Sequence, residues 1–399
     1  MVRASRWLKS LVLAMLATVA VGAHATSRVP PVGHVFVIVL ENKGFEETFG
    51  PDSKAPYFSK TLTKQGVLLT QYFGTAHYSL GNYLAMISGQ GGTKQTRDDC
   101  EVFEDFVSTG TTPDGQEKGK GCVYPATVKT LPDQLAGLGI AWRGYMEDMG
   151  NDPAREAATC GAPKIGAADP TQGARKGDQY AARHNPFVYF HSLLDGGACA
   201  LNVGPLARLE ADLRSVATTP RFVFISPNLC NDGHDAPCKD GAPGGLVSAD
   251  EFLKTWVKRI MASPAYRKDG LLIVTFDEGD GESSKLPDGR TKDVFEGASC
   301  CAQQPGPNIG TFPSTESDDK YMVEMHGFGG DRTGTVLVSP FLLPGSMSAT
   351  PFNHYSLLKT LADLYGAKPY LGYAGQAGLV GFFDAGSDIK TRHRHTKGR

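Results

Sequence analysis

The stretch "VFVIVLEN", Val35–Asn42, decides how this chain is read. Its first six residues are apolar and mostly β-branched, with no polar residue alternating between them. That pattern predicts a strand buried on both faces, as in a parallel sheet. The strand then runs straight into Glu41 and Asn42. Three more runs share the pattern: "FVFIS" (Phe222–Ser226), "LLIVTF" (Leu271–Phe276) and "TVLVSP" (Thr335–Pro340). Helical patterns lie between them. "TLPDQLAGLGI" holds a short helix, "PLARLEADLRSVA" a longer one and "ADEFLKTWVKRIMASP" another. Strand–helix alternation predicts an α/β fold, a central, mostly parallel sheet with helices on both faces.

The remaining segments fit around that sheet. Arg3, Arg6 and Lys9, the apolar run Leu11–Val21 and Ala23-His24-Ala25 read as a signal peptide over residues 1–25. The run is shorter than the roughly 20 residues of a membrane span. No later stretch is apolar enough to span, so the mature chain is expected in the periplasm or secreted. Residues 26–385 form the main domain, with an insertion at about 91–204, rich in Gly, Asp, Lys and Cys, laid over the sheet. Gly279 to Asp319 reads as a loop excursion, and residues 386–399 as a basic, disordered tail. Eight cysteines in an exported chain favour disulfides. Cys230 with Cys238, Cys100 with Cys122, and Cys160 with Cys199 are the expected pairs, and the adjacent Cys300 and Cys301 the least favoured one. The 40 basic and 42 acidic residues nearly balance, so charge gives no case for nucleic acid as a partner.

Polar residues collect where the strands end. After Glu41-Asn42 come Asp232, His234 and Asp235 beyond the second run, and Asp277-Glu278-Gly279-Asp280 beyond the third. Ligands of open parallel sheets bind at the carboxyl ends of strands. Carboxylates gathered there cannot all stay ionised without a compensating charge. A divalent cation with oxygen ligands is the usual solution. Oxygen donors point to Mg, Ca or Mn, and a histidine in a second site would admit Zn or Fe. "DEGDGESSKLPDG" is not a calcium loop of the helix–loop–helix kind, because Gly279 stands where the second acidic ligand belongs. "GVLLTQYFG" (Gly66–Gly74) reads as a strand with a glycine exit, and "NYLAMISG" as a short helix. Ser79 falls where loop becomes helix. There its hydroxyl is either an N-cap or a nucleophile, and the local sequence does not separate the two.

Five ordered stretches resemble the bacterial phosphoesterase family of acid phosphatases and non-specific phospholipases C, within the alkaline phosphatase-like superfamily. They are "VIVLENKGFEETFG", "HYSLGNYLAMISG", "ISPNLCNDGHD", "VTFDEGDG" and "HGFGGDRTGTVLVSPF", and "NHYSLLKTLADLYG" extends the likeness. The resemblance implies an alkaline phosphatase-like fold with disulfide-stapled insertions. It implies one or two divalent metal ions, with Glu41, Asn42, Asp277 and Glu278 as ligands. Ser79 matches the nucleophile and Asn82 the residue that helps hold the phosphoryl oxygens, although Gly81 stands between them where many relatives have Pro. His234 matches a family histidine near the phosphate, where a protonated imidazole could give a proton to the leaving alcohol. His326 matches a position for a second metal or the phosphate. His77 either contacts phosphate or orients the loop, and Asp232 and Asp235 belong to the same substrate or second-metal group. His354 reads as a helix N-terminal residue.

The implied activity is an exported, metal-dependent phosphomonoesterase of the acid phosphatase type, working through a phosphoserine on a small-molecule or lipid phosphate ester. A phospholipase C cleaving phosphodiester headgroups is the alternative. The chain ends soon after its last core helix, without the extra C-terminal β domains of many such phospholipases, which favours the phosphatase. A non-catalytic metal- or phosphate-binding protein on the same fold would bind metal without turnover.

Overall fold

The structure, a computed structural model, describes residues 29–392. The signal peptide read at residues 1–25 lies outside the described residues, as does the tail beyond residue 392.

The central sheet is built from strands β1 (His34–Leu40), β2 (Val67–Phe73), β3 (Trp142–Met146), β4 (Val203–Pro205), β5 (Phe222–Ser226), β6 (Gly270–Phe276), β7 (Arg332–Val338), β8 (Ser346–Ser348) and β9 (Phe352–Asn353). Their order is β8-β2-β7-β6-β1-β5-β3-β4, with β9 also pairing with β2. Every residue of β1 is buried. Val35, Val37 and Val39 face one core, together with Leu80 and Leu84 of helix α1 (Ser79–Ser88) and Leu357, Leu358 and Leu361 of helix α4 (His354–Tyr365). Phe36, Ile38 and Leu40 face the other core, with Leu246, Leu253, Val257 and Ile260 of helix α3 (Gly245–Ala262). Burying each such side chain contributes about 1.5–3 kcal/mol, so both faces of the strand are fixed. A short helix α2 (Leu131–Gly137) starts at Thr130, whose hydroxyl accepts the Asp133 N–H, as the pattern predicts.

Five corrections to the expected layout stand out. First, "TVLVSP" is not a parallel strand: β7 runs antiparallel to both β6 and β2. Asp331, the residue before its start, therefore lies at the same edge as the ends of β1, β5 and β6. Second, the longer helix expected in "PLARLEADLRSVA" is a 3-10 turn at Leu206–Arg208 and one α turn at Leu209–Asp212. The hydroxyls of Thr218 and Thr219 donate to the Asp212 carbonyl at 2.9 and 2.8 Å, which closes the helix there. Third, the segment 91–204 does not only lie over the sheet, since it contributes β3 and most of its last neighbour, β4. Fourth, the Gly279 to Asp319 excursion holds most of a small four-stranded sheet in the order Glu282–Lys285, Thr291–Phe295, Tyr321–Met325, Ser314–Ser317. Fifth, the tail is packed through residue 392: Asp388 accepts from Ala349 N–H and the Thr350 hydroxyl, and Leu343 N–H bonds the Lys390 carbonyl. All four expected disulfides form, Cys300–Cys301 included.

Candidate active site

Three loops meet at the carboxyl edge of β1, β5 and β6. β2 reaches the same edge and leaves it through Gly74. A Cβ at Gly74 would sit 2.8 Å from the carbonyl oxygens of Asp277 and Gly330, so only glycine lets the three backbones meet. The chain then turns sharply into α1. Tyr78, just before the helix, has φ +71°, a conformation rare for a bulky side chain and typical of strained functional turns.

That turn decides what Ser79 does. Its hydroxyl caps no backbone amide. It donates instead to Glu41 Oε2 at 2.5 Å. The Tyr83 hydroxyl, one helical turn on, donates to Glu41 Oε1 at 2.5 Å. His184 stacks on the Tyr83 ring and brings Nε2 to 3.2 Å from Glu41 Oε2, with Nδ1 3.7 Å from Asp232 Oδ2. Burial alone would raise the Glu41 carboxyl, but His184 and the two hydroxyls bring it down to about 2. Glu41 is thus ionised with Ser79 pointed at it.

Asn42, Asp277 and Glu278 close the other side. The Asn42 and Glu278 backbone amides both donate to Asp277 Oδ1, at 3.0 and 2.7 Å. One terminal atom of the Asn42 amide lies 3.1 Å from both Glu41 Oε2 and Asp277 Oδ1. Turned one way, the amide donates to both carboxylates. Turned the other way, its oxygen joins theirs in an all-oxygen pocket with no donor between them. Burial, followed by the charges of Glu41 and Glu278, pushes Asp277 well above the usual carboxylate range. Buried carboxylate oxygens around an ionised Glu41, with Asp277 and Glu278 resisting ionisation, fit a hard divalent cation. Cys230, Cys238 and Asp240 also lie within 4.8 Å of one another, but the two sulfurs are joined to each other and are not free ligands.

His77 supports this side from behind. It is buried between Glu278 Oε2, in a short contact, and Asp331 Oδ2 at 2.8 Å, and its ring lies against Phe295. Burial would lower its pKa, yet Glu278 and then Asp331 raise it to about 9. Glu278 is raised to about 7 by burial, against the pull of His77. His77 does not line the cavity that Ser79 opens into, so of the two expected roles the geometry fits orientation of the loop. His354 opens α4 as expected. Its Nε2 donates to the Asp277 carbonyl at 2.5 Å and its Nδ1 meets the Tyr72 hydroxyl at 2.9 Å, and burial lowers it to about 4.

The other expected residues divide. His234 is half-exposed and lines a cavity of about 470 Å³ with Ser79, Asn42, Glu278, Lys43, Arg183 and Asp99 among its walls. Asp232 is fully buried beneath Glu41, giving its carbonyl to the Glu41 N–H and its Oδ1 to the His234 N–H. Asp235 lies outside the cavity wall, 3.7 Å from His234 Nδ1. Asn82 does not face the cavity. Its oxygen accepts the Thr75 and Ala76 amides at 2.7 and 3.0 Å, and its amide nitrogen donates to the Ala76 carbonyl at 2.8 Å. It positions the turn before Ser79 rather than meeting phosphoryl oxygens. Gly81 packs beside the same turn, where a Cβ would meet Ala76 Cβ at 3.1 Å. His326 pairs with Glu296 at 3.1 Å on the small sheet and is not brought to the cavity. His184, Arg183, Tyr83, Asp99 and Asp331 are the residues that sequence reasoning missed.

Residues 51–368 match the model of the Phosphoesterase family. The chain belongs to that family. Ser79, Asp277 and Glu278 fall within the match, and Glu41 and Asn42 just precede it. This member of the phosphoesterase family is 28% identical over 243 residues to a phosphate-repressible acid phosphatase of Penicillium chrysogenum, covering 61% of this chain and 47% of that one. It is 25% identical over 356 residues to a phosphatidylinositol-3-phosphatase of Mycobacterium tuberculosis, covering 88% and 83%. The chain spans about half the length of the fungal acid phosphatases it matches. A solved alkaline phosphatase superfamily protein of Vibrio parahaemolyticus aligns over 86% of this chain and 69% of its own, with 12% identity and a TM-score of 0.43. No helix among the described residues is long and apolar enough to cross a membrane.

Proposed function

We propose that the protein is an exported, metal-dependent phosphomonoesterase of the acid phosphatase type, with Ser79 as nucleophile. The observation that carries this reading is the Ser79 hydroxyl: it opens into a cavity, caps nothing, and points at an ionised Glu41. Family membership and the acid phosphatase relatives support it.

Glu41, Asn42, Asp277 and Glu278 would hold a divalent cation beside Ser79. When bound, the cation would offset the carboxylate charges and make the serine hydroxyl easier to ionise. The protein's own groups do the rest. The oxygen of Ser79 attacks phosphorus in line while its proton passes toward Glu41 Oε2. Phosphorus forms a bond to Ser79 Oγ and breaks its bond to the ester oxygen. The departing oxygen takes a proton from His234 at the cavity mouth. Arg183 and Lys43 supply positive charge to the same cavity. Water then attacks the phosphoserine: its proton passes to His234, its oxygen bonds phosphorus, and the bond from phosphorus to Ser79 Oγ breaks as that oxygen takes back the proton left at Glu41 Oε2.

Metal analysis of the purified protein, followed by chelation and add-back during turnover of p-nitrophenyl phosphate, tests the reading. Activity that falls on chelation and returns with Mg, Ca or Mn supports it. Turnover unaffected by exhaustive chelation would contradict it.

A further inference from the structure

The loop carrying Asp99 is bent back onto the start of α1. Asp99 and Cys100 both have positive φ, 47° and 54°, and Cys100 is tied to Cys122. Such a backbone is costly for residues other than glycine and persists where its surroundings hold it. The result is that Asp99 Oδ1 accepts the Leu80 N–H at 3.0 Å, one residue beyond the nucleophile. Its Oδ2 lies 3.6 Å from Arg183 Nε. Asp99, Arg183 and Ser79 line one cavity. An amide at a helix start and a guanidinium are the donors phosphoryl oxygens seek. Here a carboxylate already engages both.

The adjoining cleft, about 510 Å³, shares Tyr78, Asp99 and Asp293 with the Ser79 cavity; it adds Asp98, Glu101 and Asp318, and Glu316 paired with Arg97, so its acids outnumber its one arginine. As a helix cap, Asp99 would need only an acceptor oxygen, and a neutral amide would serve as well. Its charge does more: paired with Arg183, it takes up positive charge that would otherwise meet the phosphate, and so weakens the attraction for each further charge on an incoming one.

We propose that Asp99 is a specificity-determining residue that admits phosphate groups bearing one negative charge and disfavours those bearing two. This rests on Ser79 being the nucleophile of a phosphoesterase. Diesters carry a single charge throughout the working range. Monoesters carry one below about pH 6 and two above it. The site therefore takes monoesters in acid and loses preference for them, relative to diesters, as they gain the second charge. Two like charges a few ångströms apart in a partly enclosed cavity repel strongly enough for discrimination of about tenfold.

The test compares kcat/KM for p-nitrophenyl phosphate and bis(p-nitrophenyl) phosphate in wild type and Asp99→Asn, with added divalent cation. At about pH 7.5 the variant should raise the monoester-to-diester ratio by about tenfold, and by less at about pH 5. Should Asp99→Asn fail to fold, Asp99→Ser, which removes the charge and keeps an acceptor oxygen for the Leu80 N–H, makes the same comparison. Turnover with an unchanged ratio in a folded variant would overturn the inference alone and leave Asp99 a helix cap. No turnover of either ester by metal-loaded wild type would overturn the phosphoesterase reading and the inference with it.

Discussion

Replacing His77 with alanine removes the group on which the Glu278 side of the site depends. Glu278 is buried, and His77 is the one hydrogen-bond partner shown for its carboxylate among the described residues. Asp331 loses His77 too, but keeps the Gly297 and Ala298 amides at 3.1 and 2.6 Å. The cost therefore falls mainly on Glu278, stranded without a donor or a counter-charge. Breaking a buried ion pair from one side costs about 3–5 kcal/mol, and with Asp331 still served the lower end applies, about 3 kcal/mol. The imidazole also packs on Phe295, and losing that contact adds to the loss. Urea unfolding of wild type and His77→Ala with EDTA present measures it. A divalent cation added in excess should narrow the gap, since it supplies Glu278 with the charge His77 gave. A loss under about 1 kcal/mol in EDTA would refute the view of His77 as the support of Glu278, because that is the range of an exposed pair.

Tyr83→Phe removes one donor from the ionised Glu41 while keeping the ring that stacks on His184, and should cost about 1.5–3 kcal/mol in urea unfolding and weaken Mg²⁺ or Mn²⁺ binding in calorimetry. Asn82→Ala unties the Thr75 and Ala76 amides and should reduce kcat for p-nitrophenyl phosphate far more than it changes KM, as expected of a residue that holds the nucleophile's turn without touching substrate. Glu147, held by the Asn228 amide and the Asn231 side chain, is raised to about 7 by burial. An acid raised on folding favours the native state while protonated, so stability should fall as pH rises from about 4.5 through 7, and Glu147→Gln should flatten that slope in denaturation midpoints measured across the window.

The strands at the centre were legible because their sequence carries the cause of their burial. Val35–Leu40 is apolar on both faces and is covered on both faces. The direction of β7 was not legible, since a buried antiparallel strand needs the same apolar run as a parallel one. That one reversal brings Asp331 to the edge where His77 waits. The small sheet left little trace, because strands such as "ESSK" are exposed and bury no face that would impose a period. Glu41, Asn42, Asp277 and Glu278 could be placed together from strand ends alone. His184 and Arg183 could not, since they arrive on a 3-10 turn inside the long segment 91–204 and reach Glu41 and Asp99 only through tertiary contact. Asn82 was placed correctly in the chain but expected to do a different job. Its spacing from Ser79 suits both a phosphoryl contact and a loop tie, and only the side-chain partners separate them.

The central claim is that Ser79 attacks the phosphate ester, and turnover of p-nitrophenyl phosphate by purified Ser79→Ala, with divalent cation present, tests it most directly. Since Ser79 caps no amide, the variant should remain folded by circular dichroism and lose turnover to the limit of detection. A folded Ser79→Ala protein that hydrolyses the ester at the wild-type rate would contradict the account.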